Sequence, residues 1–167
     1  MGLFENVLEV ALQVKPYSVC LVPERREELT TEGGLNVVKF FDSIKDYVKI
    51  FHKNNIIVSL FIDPDLEQIL ASKETGADFV ELHTGRYADA ETDEVEKREF
   101  EILKKAAQYT INIGLGLNAG HGLNYRNVTP VAKLPGMNEL NIGHSIVARA
   151  VIVGFKEAVK EMLNLIR

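Results

Sequence analysis

Five short, mostly apolar segments alternate with helical segments along this chain of 167 residues, and this alternation limits the possible folds more than any other feature. Each apolar segment is bounded by glycine, proline or polar residues, as strands are. Short apolar strands separated by helices are typical of parallel βα units. The sequence therefore predicts parallel strands at 17–23, 56–63, 78–85, 112–120 and 139–144.

The segments between these strands carry apolar residues at helical spacing. Leu3, Val7 and Ala11 share one face of an N-terminal amphipathic helix that ends before Pro16. Thr92 is a predicted N-cap, and Gly76 is a predicted C-cap. Further helices are predicted through Val37 to Phe51, over 65–75, from Thr92 to Tyr109, over 124–134 and over 145–166.

The length and the hydrophobic content of 46% suit one domain over residues 1–167 with a sizeable core. Two architectures compete for that domain. One is an open doubly wound sheet, and the other is a parallel (β/α)8 barrel of the TIM type. A barrel has eight strands and typically about 250 residues, so length alone favours the open sheet.

Charge and cysteine content exclude several classes of protein. The formal net charge of −5 does not match the basic surface of a nucleic-acid-binding protein. No apolar run approaches the length of a membrane span, and the N-terminus lacks the basic start of a signal peptide. Cys20 is the only cysteine, so no internal disulfide can form. We expect a cytoplasmic protein in which Cys20 is a small core residue.

Polar residues collect where the predicted strands end, and parallel α/β folds place their chemistry there. Three of the four histidines lie at such an end, whereas His52 lies at a helix end and needs no chemical role. The polar residues at or near strand ends are Asp63, Glu81, His83, Asn118, His121, Asn141 and His144.

His121 is the strongest candidate for a catalytic group. It stands in the segment NAGHGLNY, between Gly120 and Gly122. Small neighbours allow a backbone or a ligand to come close, and an imidazole exchanges protons near neutral pH. We therefore predict that His121 transfers a proton to or from a small polar substrate.

Gly143 and His144 connect the last strand to the last helix. Backbone N–H groups at a helix N-terminus bind phosphate well, and barrels often build a phosphate site from their last two βα loops. Those two loops here contain Gly122 and Gly143–His144. The pattern predicts a phosphate site at these residues.

Other candidates are more ambiguous. Glu81 lies inside a strand, where a carboxylate must either be paired or take part in chemistry. His83 fits a structural role as well as a functional one. His83, His121 and His144 together raise the alternative of a metal site, although no tight motif such as H-x-x-x-H supports it. The segment ERREELTTEGG, residues 24–34, favours a mobile lid with glycine hinges.

One apparent nucleotide-binding motif carries little weight. GLGLNAG matches the loose dinucleotide pattern, but it lies within a predicted strand and does not open a helix. We therefore do not predict nucleotide binding.

Five segments together resemble the pyridoxine 5′-phosphate synthase family of the deoxyxylulose-dependent vitamin B6 pathway. They occur in order and at compatible spacing from about Lys15 to the end of the chain. The segments are KPYSVCLVPERREELTTEGGL, VSLFIDPD, GADFVELHTGRYADA, LGLNAGHGLNYRNV and ELNIGHSIVARAV. The resemblance implies a (β/α)8 barrel that assembles into octamers in the cytoplasm.

The resemblance also implies an activity. Family members condense 1-deoxy-D-xylulose 5-phosphate with 3-amino-2-oxopropyl phosphate to give pyridoxine 5′-phosphate, phosphate and water. No redox cofactor is used, and we predict no metal. By resemblance, His121 is a proton donor and Glu81 stabilises the transition state. The residues implied to contact substrate are Thr30 for the deoxyxylulose phosphate and Gly122, Gly143 and His144 for the aminoketone phosphate.

This sequence departs from the family pattern at its start. Family members begin with three further βα strands, which carry Asn-x-Asp-His, His-x-Arg and Leu-Glu-Met segments. The histidine and glutamate of the latter two are the family's general bases. None of these segments occurs here, and Met1 falls about where the third segment ends. We therefore expect the C-terminal five-eighths of the enzyme, with an unclosed barrel and poor activity alone.

Two other interpretations stay open. In the first interpretation, the chain is a non-catalytic fragment or a subunit that needs a partner to supply the first three βα units. In the second interpretation, it is another phosphosugar aldolase or isomerase on the same barrel. A Schiff-base enzyme of that kind needs a lysine at a strand end, and we see none, whereas a metal-dependent version is compatible with the sequence.

Overall fold

The structure, a computed structural model, describes residues 1–24, 26–30 and 33–167. The predicted lid over 24–34 includes Arg25, Thr31 and Glu32, which lie outside the described residues. The lid therefore stays a prediction.

Five parallel strands form one sheet in the described part of the chain, and each strand pairs with its neighbours in chain order. Right-handed crossovers between sequential parallel strands put all the connecting helices on the same face. A doubly wound sheet instead reverses its strand order in the middle, so the fold is of the (β/α)8 TIM-barrel type with the sheet left open. The strands are β1 Ser18–Leu21, β2 Ile57–Ile62, β3 Phe79–His83, β4 Gly116–Gly120 and β5 Met137–Asn141.

The helices confirm the predicted βα alternation. Thr92 caps its helix by accepting a hydrogen bond from the Val95 N–H at 3.3 Å, and Gly76 ends another at a φ of 90°. A short 3-10 turn covers Arg26–Glu28. The α-helices are α1 Glu5–Val14, α2 Phe41–Lys53, α3 Leu66–Thr75, α4 Gly85–Ala88, α5 Asp93–Asn112, α6 Val128–Ala132, α7 His144–Val153 and α8 Phe155–Ile166.

Several predicted boundaries were wrong; the strands at 17–23 and 78–85 and the helix over 124–134 are shorter than predicted, and three further differences have clear causes. The single helix over 145–166 is two helices, because Gly154 has a φ of 83° and ends α7. The last strand covers Met137–Asn141 and not 139–144, because Gly136, with a φ of 76°, forms a turn directly before it. Helix α5 continues to Asn112, so β4 begins only at Gly116.

One face of the sheet packs against the helices and forms the core. The strand residues on this face are buried, and they contact Ile44, Val48 and Phe51 of α2 and Leu103 of α5 within one apolar cluster. They are Val19, which is 8% exposed, and eight residues that are less than 2% exposed: Leu21, Val58, Leu60, Ile62, Val80, Leu82, Leu117 and Ala119.

The other face, here called the concave face, carries polar side chains together with Phe61 and Phe79. Because side chains alternate along a strand, the residues between those of the core point to this side. In register they include Cys20 beside Ser59 and Glu81 beside Asn118. Cys20 is therefore not the core residue that the sequence predicted, because its strand position faces away from the helices.

No helix in the described residues is both long enough and apolar enough to span a membrane.

Candidate active site

A cleft of about 830 Å³ opens at the carboxyl ends of the strands, over the concave face. It is lined by five of the six residues predicted to form the site: Glu81, His121, Gly122, Gly143 and His144. These residues come from three successive βα units, so the parallel topology brings them together. The sixth, Thr30, borders a neighbouring cleft of about 440 Å³.

Glu81 is 7% exposed in the middle of β3. Its Oε2 accepts a hydrogen bond from the Asn141 amide at 2.9 Å and from the Cys20 thiol at 3.4 Å. Burial raises the pKa of this carboxyl above its ordinary value, and the two donors oppose that rise. Glu81 is thus held at one oxygen and more easily protonated than a carboxyl in water.

Cys20 supports Glu81 and is a poor nucleophile. Burial, reinforced by the negative charge of Glu81, raises the pKa of the Cys20 thiol to about 12. A thiol in that state stays protonated at neutral pH and serves as a donor.

The backbone presents His121 in an unusual conformation. His121 has a φ of 79°, which few residues other than glycine adopt, and Gly122 repeats the value. The Thr84 hydroxyl donates to the carbonyl oxygens of Gly120 at 2.8 Å and of His121 at 2.5 Å. A strained conformation persists only where its surroundings hold it, and such residues concentrate at functional sites.

The small residues beside His121 are required by close contacts. A Cβ at Gly120 would collide with Oε1 of Glu81, and one at Gly122 would lie 2.5 Å from Cβ of Ala88. The glycines therefore allow the Glu81 carboxylate and the α4 segment to approach the loop that carries His121.

Gly143 and His144 form the N-terminus of α7 and line the same cleft. The first N–H groups of a helix have no acceptor within the helix, and α7 is ten residues long. No lysine or arginine is among the described residues that line this cleft. The N-terminus of α7, with the positive end of its helix dipole, is therefore the feature of this cleft that suits an anionic group.

His83 lies next to His121. Their ring centroids are 4.7 Å apart, and the Phe61 ring packs on His83 at 5.1 Å. Nδ1 of His83 is 3.3 Å from Oδ1 of Asp63, and the Thr30 hydroxyl donates to the other oxygen of Asp63. Of the three histidines at strand ends, His83 and His121 therefore adjoin each other, and His144 lines the cleft with His121.

The metal alternative receives no geometric support from this arrangement. Within residues 1–24, 26–30 and 33–167, no three histidine, cysteine, aspartate or glutamate side chains are grouped closely enough to hold an ion.

Sequence reasoning did not assign Thr84, Phe61 or Cys20 to the site. Thr84 follows His83 directly, and its hydrogen bonds cross to β4, which no local pattern reveals. Cys20 and Glu81 are 61 positions apart. Only the strand register, which places Cys20 and Glu81 on the same face, could have indicated their contact.

Fold and site together define a TIM-barrel-type α/β protein with a carboxyl, an imidazole and a helix N-terminus around one cleft. The family described as pyridoxal phosphate biosynthesis protein PdxJ matches residues 1–167. The chain belongs to this family.

Individual relatives agree with that assignment. A pyridoxine 5′-phosphate synthase of Pelobacter propionicus is 50% identical over 167 residues, which are 100% of this chain and 70% of the relative. One of Crocosphaera subtropica is 54% identical over 162 residues, covering 97% of this chain and 68% of the relative. This chain therefore spans about two thirds of the length of these relatives.

A solved structure shows the same fold at low identity. The xylose isomerase domain protein of Planctomyces limnophilus superposes with a TM-score of 0.56 at 13% identity. The match covers 96% of this chain and 66% of that protein. At that identity the likeness concerns the fold alone.

Proposed function

We propose that this chain carries the proton donor and the transition-state carboxylate of a pyridoxine 5′-phosphate synthase. The observation that carries the proposal is the convergence of Glu81 and His121 on one cleft of about 830 Å³. The reaction joins 1-deoxy-D-xylulose 5-phosphate to 3-amino-2-oxopropyl phosphate and releases phosphate and water. Relatives that are 50–54% identical carry the name of that enzyme.

In this proposal His121 donates a proton to the condensing substrates. Its φ of 79° and the Thr84 hydrogen bond to its carbonyl support a fixed imidazole position. Fixed placement of an acid near its target is what general acid catalysis needs.

Glu81 acts beside it on the same face. Its Oε2 is occupied by Asn141 and Cys20, so Oε1 is the oxygen directed past Gly120 to the cleft. A carboxyl with a raised pKa can hold a proton or stabilise positive charge that develops in a transition state.

The phosphate of the aminoketone lies, in this proposal, at Gly122, Gly143 and His144. The N-terminus of α7 and the absence of bulk at the two glycines support it. Thr30 contacts the deoxyxylulose phosphate from the neighbouring cleft, which shares Leu29 with the first.

A turnover assay tests the proposal. Both substrates are supplied, and pyridoxine 5′-phosphate is followed by its absorbance. Because this chain spans 70% of the Pelobacter propionicus relative, the assay is run on the chain alone and with the N-terminal segment of a relative added in trans. We expect turnover with the added segment and little without it.

Two histidine variants make the assay specific. His121→Ala should lower kcat by roughly 10²-fold or more, the usual size of a general acid's contribution. His52→Ala is the matched control, since His52 lies in the last turn of α2 and pairs with Asp78 outside the cleft. Equal kcat values for the two variants would remove His121 from the chemistry, and no turnover with any segment would refute the proposed function.

We also propose that residues 1–167 fold as one domain that self-associates in the cytoplasm. One continuous apolar cluster supports the single domain. Exposed apolar side chains on α7 and α8 support self-association, with Val151 at 80% and Phe155 at 61% exposure. Light scattering should show an oligomer, and thermal unfolding should show one transition. A monomer, or two separate transitions, would contradict these points.

A further inference from the structure

Asp63 is a buried carboxylate at the end of β2 that the chemistry described so far does not use. It is 3% exposed. Oδ1 accepts the Gly34 N–H at 3.2 Å and lies 3.3 Å from Nδ1 of His83, and Oδ2 accepts the Thr30 hydroxyl. One carboxylate therefore touches both the segment around Thr30 and the end of β3.

His83 is confined on several sides. Its ring meets Phe61 at 5.1 Å with an interplanar angle of 76°, an edge-to-face contact. A Cβ at Gly85 would lie 2.9 Å from its ring, and one at Gly33 would lie 3.4 Å from it. These neighbours leave the imidazole little room to turn. Its Nδ1 is the ring nitrogen that faces the Asp63 carboxylate.

His121 packs against this group. Its ring centroid is 4.7 Å from that of His83 and 6.3 Å from that of Phe61. Thr84, the residue after His83, holds the carbonyl of His121. The end of β3 thus contacts both the side chain and the backbone of His121.

We propose that Asp63 and His83 are positioning residues for His121. Asp63 keeps a proton on Nδ1 of His83 and fixes that ring, and the fixed ring forms one wall against which the His121 imidazole packs. A carboxylate beside one ring nitrogen sets the tautomer and orientation of a histidine. The proposal rests on the proposed function only in taking His121 as the proton donor.

Nitrogen-15 NMR of the histidine-labelled 167-residue chain tests the first step without any variant. The ring shifts report which nitrogen carries the proton. We expect the proton of His83 on Nδ1, or on both nitrogens if the ring is charged. A bare Nδ1 on His83 would overturn the proposal.

The variant Asp63→Ala tests the second step. Its ring signals should change at His83 and His121, and those of His52 and His144 should not. Asp78→Asn is the matched control, because Asp78 lies 2.9 Å from Nε2 of the exposed His52. It should move His52 alone. Unmoved His121 signals in a folded Asp63→Ala chain would also overturn the proposal.

Kinetics distinguish positioning from a merely structural role. In the reconstituted turnover assay, Asp63→Ala should lower kcat about 10–100-fold, the range found for carboxylates that orient metal-bound histidines, with the KM of the aminoketone phosphate changed less than threefold. A rise in KM with kcat unchanged would instead assign Asp63 to substrate binding. The two proposals can also fail separately. If the ring signals respond as expected but the unaltered chain shows no turnover, the proposed function is wrong and the contact between Asp63, His83 and His121 is still confirmed.

Discussion

The two faces of the sheet are built from the same five strands, and polar side chains lie on only one of them. Toward the helices, Leu60, Ile62, Val80, Leu82 and Leu117 are fully buried. Toward the concave side, the alternate positions of the same strands hold Cys20, Ser59, Glu81, His83 and Asn118.

Parallel sheets are usually apolar on both faces, because both are covered. In this sheet only the helix-facing side is uniformly apolar, whereas the concave face carries polar side chains. Polar groups cost free energy when buried unless they are hydrogen-bonded, and here Glu81 is paired with Cys20 and Asn141. The difference indicates that one face stabilises the fold and the other carries the site.

The largest effect on stability should come from the helix-facing side. Leu82→Ala removes a side chain with 0% exposure from the core. Such truncations typically cost about 2–5 kcal/mol, because a cavity is left. Urea unfolding followed by circular dichroism measures the loss.

Ser59→Ala is the matched change on the concave face. It removes one hydroxyl beside Cys20 and should alter the free energy of unfolding by less than about 1 kcal/mol. If Ser59→Ala lowers the free energy of unfolding as much as Leu82→Ala does, the proposal that the helix-facing side supplies most of the stability is wrong.

A smaller effect on the free energy of unfolding should come from Glu81 and should depend on pH. Its pKa is raised from 4.5, mainly by burial, with Glu139 contributing. The protonated carboxyl therefore stabilises the fold fully below about pH 4.5, the ordinary value of an unfolded glutamate. That contribution is lost as the pH rises through the folded-state pKa.

Glu81→Gln keeps a neutral side chain at every pH and so lacks this dependence. We expect the free energy of unfolding of the unaltered chain to fall, relative to Glu81→Gln, as the pH is raised from 4.5 toward neutrality. Urea midpoints of both proteins across that range provide the comparison. Parallel curves would show that burial does not disfavour the ionised form of Glu81.

The smallest effect on stability should come from His52, which lies in the last turn of α2 and on neither face of the sheet. His52 pairs with Asp78 at 2.9 Å, and their side chains are 40% and 37% exposed. Exposed polar pairs of this kind contribute about 0–1 kcal/mol to stability. His52→Ala should therefore change the unfolding midpoint little, as measured by urea unfolding. A large loss would mean that this pair is a structural anchor.

Much of this arrangement was predictable from local patterns. The alternation of strands and helices gave the βα order, and strand ends marked His121, Gly143 and His144, because polar and glycine residues follow apolar runs there. The break at Gly154 was missed, since apolar residues continue at helical spacing on both sides and a glycine within a helix costs only about 1 kcal/mol.

The supporting contacts were beyond local patterns. Asp63 and His83 are separated by 20 positions, and Thr30 and Asp63 by 33. Their proximity arises from strand register and from the segment before α2, neither of which periodicity determines. The sequence likewise placed Cys20 in the core, because an apolar strand does not reveal which of its faces lies against the helices.

Chemical-shift mapping tests the central claim, that the concave face holds the substrate site, most directly. The nitrogen-15-labelled chain is titrated with 3-amino-2-oxopropyl phosphate, and backbone and imidazole signals are followed. We predict that the shifts concentrate at His121, Gly122, Gly143 and His144, around the cleft. Shifts confined to the exposed surface of α7 and α8, or none at millimolar ligand, would contradict the claim.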